Sequence, residues 1–402
     1  MNDLLEIAFL PGKGRGFKAK DYIPAGTTLH ISHPLATTVS QEWLPETCQA
    51  CFHFIYPKKH KVRAVTPQEQ SLLATRWQLP LKKNSVLFKD VLFCSLQCKQ
   101  DVIAKPDWEL SLAINYRLDL EFARSTQTDL STSPILESSA EEFIDIESDD
   151  ALEAWLDHAW DSLTDNLDLH QPVEDSDRAM CRLIASCILR KNNEIDADID
   201  TTFTTSAHTP QYKNLLVIQN NELSLFKSLY KSPITKLPKN PAASNLPQEI
   251  LDVMALYSFF KRAVSQPLYH VPQLTHVNHQ VFRAIFFRER ANSFGLWEMG
   301  DEEIAKGTGG VSDDLELLGF GIYPSAVYFN HSCDANVIKI RDGNRMKFIA
   351  RRMIDQDEEA CISYGSVDDS LFVRRQRLFE HYHFTCACTK CVQEELYDDI
   401  IR

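Results

Sequence analysis

The chain has 402 residues and a mass of 46.0 kDa, which exceeds one ordinary domain and predicts two or three packed units. Hydrophobic residues make up 44% of the sequence, enough for sizeable cores, yet no apolar run approaches the roughly 20 residues of a membrane span. The N-terminus lacks the basic region and apolar run of a signal peptide, so we expect an intracellular protein of the nucleus or cytoplasm.

The net charge of −14 is unevenly distributed. Acidic residues dominate between 101 and 200, whereas residues 1–100 and 201–300 carry a positive excess. This pattern favours a basic peptide ligand over nucleic acid, although a solvated acidic surface explains it equally well. A DNA-binding zinc protein would need a basic groove, which the negative total does not favour.

In chain order, the first forty residues have a β pattern with a glycine-rich turn, GKGRG, at 12–16. Residues 125–150 are rich in Ser, Thr, Asp and Glu and predict a mobile acidic loop. Apolar stripes at helical spacing predict helices from about 150 to 290. Two alternating runs around Asp342-Gly343-Asn344 then predict a β-hairpin, and a helix precedes the last cysteines.

Eleven cysteines in a reducing compartment favour metal ligation over disulfides. Eight of them form two quartets, each able to supply the four thiolates of a structural zinc site, so we expect two zinc ions. The quartets are Cys48, Cys51, Cys94 and Cys98 (zinc 1), and Cys333, Cys386, Cys388 and Cys391 (zinc 2). The alternative is a set of unrelated buried thiols, which is how we interpret Cys187 and Cys361.

Three short motifs are ambiguous when each is taken alone. The GKGRG turn allows close backbone approach to a ligand, but an ordinary surface turn has the same composition, and it is not a P-loop. Asn330 and His331 are compatible with simple turn chemistry, although the neighbouring Cys333 would fix their position. Tyr364 could be an aromatic residue packed in the core of a strand.

Taken together and in order, the motifs resemble the SET-domain lysine methyltransferases, and within them the SMYD type, in which a MYND zinc finger interrupts the SET domain. The resemblance covers nearly the whole chain. It rests on GKGRG with the following F-x-A, ANSF at 291–294, GIYPSAVYFNHSCDAN at 321–336, ISYG with Cys361 at 361–365, and CACTKC at 386–391. Alanine stands where the NHSCDPN signature usually has proline.

The resemblance implies an S-adenosylmethionine site and a channel for the substrate lysine. Cofactor-binding residues would be Lys13, Gly14, Arg15, Gly16, Ala291, Asn292, Asn330, His331, Tyr364 and Phe384. The walls of the lysine channel would be Phe294, Tyr323 and Tyr382. Tyr364 would be the catalytic residue, whose hydroxyl orients a neutral lysine amine in line with the S–CH3 bond.

Two departures from the SMYD pattern are visible in the sequence. The MYND finger is degenerate, because Cys48, Cys51, Cys94 and Cys98 match only one of its two zinc sites. Only eleven residues follow Cys391, so we expect a short form without the C-terminal helical domain and with a more open substrate cleft.

The resulting prediction is an α+β fold, with a SET-domain β-structure of several small curved sheets and a pseudoknot. We expect five segments: the N-terminal part of SET (1–44), a MYND-like insert (45–104), a helical region (105–285), the SET core (286–370) and a post-SET zinc module (371–402). The partner would be a lysine-containing protein or peptide, with histone tails as one candidate, and the protein would be a monomer. The competing interpretation is an inactive SET and zinc scaffold that mediates protein–protein interaction.

Overall fold

The computed structural model describes residues 4–80, 88–125, 142–166, 173–190, 215, 217–230, 232–298 and 315–401. The chain divides into two compact units. Unit 1 consists of Met1–His60, Lys191–Gln219 and Arg290–Arg402, and unit 2 of Lys61–Arg190 and Asn220–Glu289. The division into five segments made from the sequence stays a prediction.

The strands are short and form several small sheets. In chain order they are β1 Leu5–Leu10, β2 Gly14–Ala19, β3 Thr28–Ser32, β4 Ala36–Val39, β5 Val62–Arg63, β6 Leu92–Phe93, β7 Phe143–Asp145, β8 Lys236–Pro238, β9 Ser293–Trp297, β10 Leu317–Ile322, β11 Asn330–His331, β12 Val337–Asp342, β13 Arg345–Ala350 and β14 Cys361–Ile362. Unit 1 pairs β1 with β2, β4 with β10 and β9, β12 with β13 and β3, and β11 with β14. Unit 2 pairs β5 with β6 and β7 with β8.

The helices are α1 Pro67–Arg76, α2 Leu96–Ile103, α3 Trp108–Ser125, α4 Asp149–Asn166, α5 Asp175–Arg190, α6 Glu222–Ser228, α7 Gln248–Phe260, α8 His279–Glu289, α9 Leu371–Tyr382 and α10 Thr389–Ile401. Unit 2 holds α1 to α8, and unit 1 holds α9 and α10. Among the described residues, none of these helices combines the length and the apolar character that crossing a membrane requires. The predicted mixture of small sheets and helices is confirmed.

Two glycine turns set the hairpins of unit 1. Gly12, between β1 and β2, and Gly14, the first residue of β2, adopt φ values of +74° and +77°, a region that only glycine enters without strain. Gly343, with φ +64°, closes the hairpin of β12 and β13 that the sequence predicted. The register runs from Val337 opposite Ala350 to Asp342 opposite Arg345.

The core of unit 1 is built around stacked aromatic rings. Phe329 and Phe348 stack with centroids 4.2 Å apart, and Phe17 meets Phe329 edge-on at 4.8 Å. All three side chains are buried. They join the sheets of β2, β12 and β13 to the segment that leads into β11, so the position of β11 is fixed by packing.

A buried asparagine holds the approach to β14. Asn336, only 2% exposed, donates its side-chain amide to the carbonyl of Glu359 at 2.8 Å and to the carboxylate of Glu358 at 3.0 Å. Its side-chain oxygen accepts the backbone N–H of Cys361 at 2.8 Å. Because every polar group of the amide is satisfied, the segment before β14 is fixed beside β12.

In unit 2 a buried ion pair joins α6 to α8. Arg283 donates from Nε to Oε1 of Glu222 at 2.9 Å and from Nη2 to Oε2 at 3.0 Å, and Trp160 of α4 donates to Oε1 at 3.2 Å. Burial raises the pKa of Glu222 in spite of the guanidinium beside it. The pair therefore fixes the packing of three helices only while both charges are present.

The predicted acidic loop is wrong at its C-terminal end. Residues 126–141 lie outside the described residues, but Phe143–Asp145 form β7, which pairs with Lys236–Pro238, and α4 begins at Asp149. The polar composition of this segment did not indicate a strand, because β7 pairs with a strand about ninety residues later in the chain. The predicted apolar helices in 150–290 and the helix before the last cysteines are confirmed.

Replacing Arg283 by alanine leaves the Glu222 carboxylate buried without its partner. We expect a loss of about 3–5 kcal/mol in the free energy of unfolding, measured by denaturant titration followed by far-UV circular dichroism. The control is Lys236→Ala, because the Lys236–Asp145 pair is more than 60% exposed at both side chains. It should change the free energy by less than about 1 kcal/mol, and equal losses for the two variants would contradict the prediction.

Candidate active site and cysteine cluster

Four cysteine thiols of unit 1 meet in one cluster. Cys333 follows β11, and Cys386, Cys388 and Cys391 surround the start of α10. Their Sγ atoms all lie within 4.8 Å of one another, and those of Cys333 and Cys391 are 3.5 Å apart. The structure thus brings together the second quartet that the sequence predicted.

The donor set of this cluster fits zinc. Tetrahedral Zn–S bonds of about 2.3 Å place the sulfur atoms about 3.8 Å apart, close to the spacing found here. Hydrogen bonds from Cys333 and from His331 lower the pKa of Cys386, whereas the bond to Cys386 and burial raise the pKa of Cys333. Four crowded thiols cannot all ionise without a cation, and a zinc ion would supply the missing positive charge.

His331 connects the cysteine cluster to Tyr364. Its Nε2 lies 3.3 Å from Sγ of Cys333, and its Nδ1 accepts the backbone N–H of Tyr364 at 3.1 Å. Since Nδ1 accepts, Nε2 carries the proton and donates to the sulfur. The imidazole therefore connects the backbone of Tyr364 to the sulfur of Cys333.

Arg374 anchors α9 against the same cluster. Its side chain is buried, and Nη2 lies 3.8 Å from Sγ of Cys391 and 2.5 Å from Oε2 of Glu394 on α10. His383 ends α9 in the left-handed conformation, with φ +59°, which turns the chain toward Cys386. The helix and the following turn thus present the last three cysteines to Cys333.

The glycine-rich turn lies against Asn330. A Cβ atom on Gly16 would be 2.4 Å from Nδ2 of Asn330, so only glycine allows this approach. Nδ2 donates to the carbonyl of Arg15 at 3.3 Å and to Oε1 of Glu359 at 2.9 Å. Lys13 donates to the other oxygen of Glu359, and this bond raises the pKa of Lys13 although desolvation alone would lower it.

A cavity of about 40 Å³ lies beside this network in unit 1. Its lining includes Asn292, Phe294, Phe329, Lys339, Tyr364 and Tyr382. The rings of Tyr364 and Tyr382 are 4.7 Å apart, and burial raises the pKa of both hydroxyls. The cavity is therefore partly open, is lined by aromatic rings, and has tyrosines that stay protonated.

Tyr364 presents its hydroxyl in a defined orientation. The Oη atom donates to the carbonyl of Phe329 at 3.0 Å, while the backbone N–H is held by His331. Because its single proton is engaged, the hydroxyl oxygen offers lone pairs to a donor in the cavity. That arrangement suits the recognition of an amine N–H.

Three other predicted site residues lie around this cavity in different ways. Tyr323 is fully buried behind Phe294, and its hydroxyl donates to the carbonyl of Asn344 at 2.6 Å, so it supports the wall without being among the residues that line the cavity. Phe384 packs on the cysteine cluster, 6.1 Å from the His331 ring. The side chain of Arg15 donates to the carbonyl of Val217 at 2.6 Å. Only its backbone carbonyl contacts the predicted site residue Asn330.

The cysteines of the first quartet are divided between the units. Cys48 and Cys51 belong to unit 1, where Cys48 is fully buried. Cys94 and Cys98 belong to unit 2, where their Sγ atoms are 3.5 Å apart across the first turn of α2. Zinc binding by all four stays a prediction.

Three residues of this site were not predicted from the sequence. Glu359 holds both Lys13 and Asn330, Asn336 fixes the segment before β14, and Lys339 enters the aromatic cavity. The first two contacts join segments far apart in the sequence, so no local pattern reveals them. Lys339 gives no such signal either, because a lysine between two isoleucines in VIKI is the ordinary pattern of a strand with one solvent-exposed face.

Replacing Cys388 by serine removes one thiolate from the cluster. We expect the bound zinc to fall by one ion per chain, because a structural zinc site needs all four ligands. Metal analysis of the purified protein by mass spectrometry measures this. Cys187→Ala is the control, since Cys187 is buried on α5 outside both quartets and its loss should leave the zinc content unchanged. An unaltered zinc content in Cys388→Ser would contradict the prediction.

The chain is similar in sequence to several known proteins. "Potential protein lysine methyltransferase SET6" of Saccharomyces cerevisiae is 27% identical over 400 residues, which cover 95% of this chain and 93% of the relative. "SET and MYND domain-containing protein DDB_G0273589" of Dictyostelium discoideum is 32% identical over 109 residues, or 27% of this chain and 25% of the relative. "Histone-lysine N-methyltransferase SMYD3" of Mus musculus is 30% identical over 109 residues, or 27% of this chain and 26% of the relative.

The family assignment rests on a longer match. The model of the SET domain family matches residues 14–365, which include the last three residues of the glycine-rich turn, β11, Tyr364 and all the cavity residues named above except Tyr382. Because this match covers far more than half of the sequence, the chain belongs to the SET domain family.

Proposed function

We propose that this protein is an S-adenosylmethionine-dependent methyltransferase that modifies the side-chain amine of lysine in protein substrates. The observation that carries the proposal is the aromatic cavity with the Tyr364 hydroxyl, fixed through His331 to the cysteine cluster. The relatives named above support it, since two of them carry the words lysine methyltransferase or histone-lysine N-methyltransferase.

The cofactor would lie against the glycine-rich turn and β11. The backbone of residues 13–16 would approach its amino-acid end, and Asn292, Asn330 and His331 would hold its polar groups, with Phe384 against the adenine. The close packing of Gly16 on Asn330 supports this placement, because it positions a turn and an amide side by side. When bound, the cofactor supplies an electrophilic methyl group on a sulfonium.

The residues of the cavity would prepare the substrate amine. Methyl transfer needs an amine with a free lone pair, and desolvation between Phe294 and Tyr382 disfavours the ammonium form. The Tyr364 oxygen would accept an N–H of the amine and aim the lone pair along the line of attack. Its raised pKa keeps this hydroxyl neutral, so it orients the amine and does not act as a base.

The cysteines would provide the scaffold of the site. We propose one zinc ion at Cys333, Cys386, Cys388 and Cys391 and a second at Cys48, Cys51, Cys94 and Cys98. The first would hold His331 and α9 in place, and the second would stabilise the MYND-like insert. Neither ion takes part in the transfer, because each would be fully coordinated by thiolates.

We further propose that the protein acts as a monomer in the nucleus or cytoplasm on lysines in basic segments, histone tails among them. The excess of acidic residues between 101 and 200 supports a basic partner.

Removing the Tyr364 hydroxyl tests the proposed chemistry. We expect Tyr364→Phe to lower kcat on a lysine-rich protein mixture by about 100-fold, because the amine loses the group that orients it. Transfer of labelled methyl groups from the cofactor measures the rate. Tyr269→Phe is the control, since Tyr269 is 69% exposed in unit 2, and its activity should equal that of the unaltered protein. Equal activity of both variants would overturn the assignment of Tyr364.

Crowding the glycine-rich turn tests the proposed cofactor site. Gly16→Ala should weaken S-adenosylmethionine binding by about tenfold or more, because the new Cβ displaces Asn330 and one lost charge-assisted contact is worth about 1.5–3 kcal/mol. Calorimetry measures the Kd. Gly12→Ala is the matched control in the same turn, since its Cβ would meet nothing within 4 Å and only backbone strain would be added. Unchanged affinity in Gly16→Ala would place the cofactor elsewhere.

A further inference from the structure

The aromatic cavity already contains an amine from the chain itself. Lys339 lies on β12, and its half-buried side chain lines the same cavity as Tyr364 and Tyr382. Its Nζ atom is 5.5 Å from the centre of the Phe294 ring. A lysine therefore occupies the surroundings that the proposed function assigns to a substrate lysine.

The amine of Lys339 lacks the partners that keep most buried lysines charged. Within the part of the chain that the structure describes, no carboxylate forms an ion pair with it, and burial lowers its pKa to about 8. At pH 7 about one molecule in ten then carries a neutral amine, against fewer than about one in a thousand for an ordinary lysine. The other titratable groups lining the cavity, Tyr364 and Tyr382, stay neutral because burial raises their pKa.

The free space beside Lys339 is small. The cavity of about 40 Å³ holds a few water molecules, each of which needs about 10–15 Å³ by the same measure. A substrate lysine entering this space would share it with Lys339, which forms part of the lining. The amine of Lys339 thus belongs to a side chain that lines the same cavity as Tyr364.

We infer that Lys339 is an internal methyl acceptor, so that the protein methylates itself at this residue. The inference rests on the proposed function, which supplies S-adenosylmethionine as methyl donor. The Nζ lone pair forms a bond to the methyl carbon while the S–CH3 bond breaks and its electron pair stays on sulfur as a neutral thioether. The positive charge passes to nitrogen, which releases a proton to solvent.

A structural role is the competing explanation of the same position. The aliphatic part of a lysine fills apolar space well, and an ammonium near a phenylalanine ring gains about 0.5–1 kcal/mol. Such a role would not produce a covalent change, so the two explanations differ in a direct measurement.

The test uses the purified full chain and labelled S-adenosylmethionine without any added substrate. We expect methylated Lys339 in peptide mapping by mass spectrometry, formed at a rate per chain that is independent of protein concentration, because the acceptor is intramolecular. Label confined to other lysines, or a rate per chain that rises with concentration, would overturn the inference.

Two variants sharpen the result. Lys339→Met keeps a side chain of similar length without an amine. Its rate of self-labelling should be at least tenfold lower, while it still binds the cofactor. Lys347→Arg, on the neighbouring β13, is the matched control and should label like the unaltered protein. Transfer to an external lysine peptide without any label on Lys339 would overturn this inference and leave the proposed function supported. No transfer to either acceptor would sink the proposed function as well.

Discussion

The hydrogen bonds of one imidazole hold the candidate site together. His331 donates from Nε2 toward the Cys333 sulfur and accepts the backbone N–H of Tyr364 at Nδ1, so its two nitrogens have fixed and different roles. Loss of the cysteine cluster would remove the partner of Nε2, and the tyrosine backbone would lose its support. The cysteine cluster, the packing of α9 and the direction of the tyrosine hydroxyl are for this reason one coupled system.

The two side chains of the short strand β11 contact different parts of unit 1. Successive side chains of a strand point to opposite faces, so Asn330 and His331 diverge although they are neighbours. Asn330 contacts Arg15 of the glycine-rich turn and Glu359, while His331 contacts the cysteine cluster. The parallel pairing of β11 with β14 then brings Tyr364, two residues beyond β14, to the same place. A very short strand can do this because buried aromatic rings on either side fix its position.

Features that depend on residues close together in the sequence were predicted from sequence patterns. Cysteine spacing gave the second quartet, glycine and asparagine gave the hairpin at Gly343, and apolar periodicity gave the helices of 150–290. Contacts between distant polar residues were out of reach, as with Glu359, which meets Lys13 across 346 positions. The same reason explains β7, because a three-residue strand in an acidic segment exists only through its distant partner.

Lys339 shows how a site can oppose the stability of its own fold. Burial lowers its pKa from an ordinary value of 10.5 to about 8, so holding the ammonium at this position is a cost to folding at neutral pH. The sign follows from linkage: the folded-state pKa is the lower one, so stability is lost as the pH falls from the unfolded pKa to the folded one. A leucine or methionine would fill the space without this cost. A lysine at this position departs from the usual burial of apolar side chains among aromatic rings, and the inferred methyl transfer would give its amine a role there.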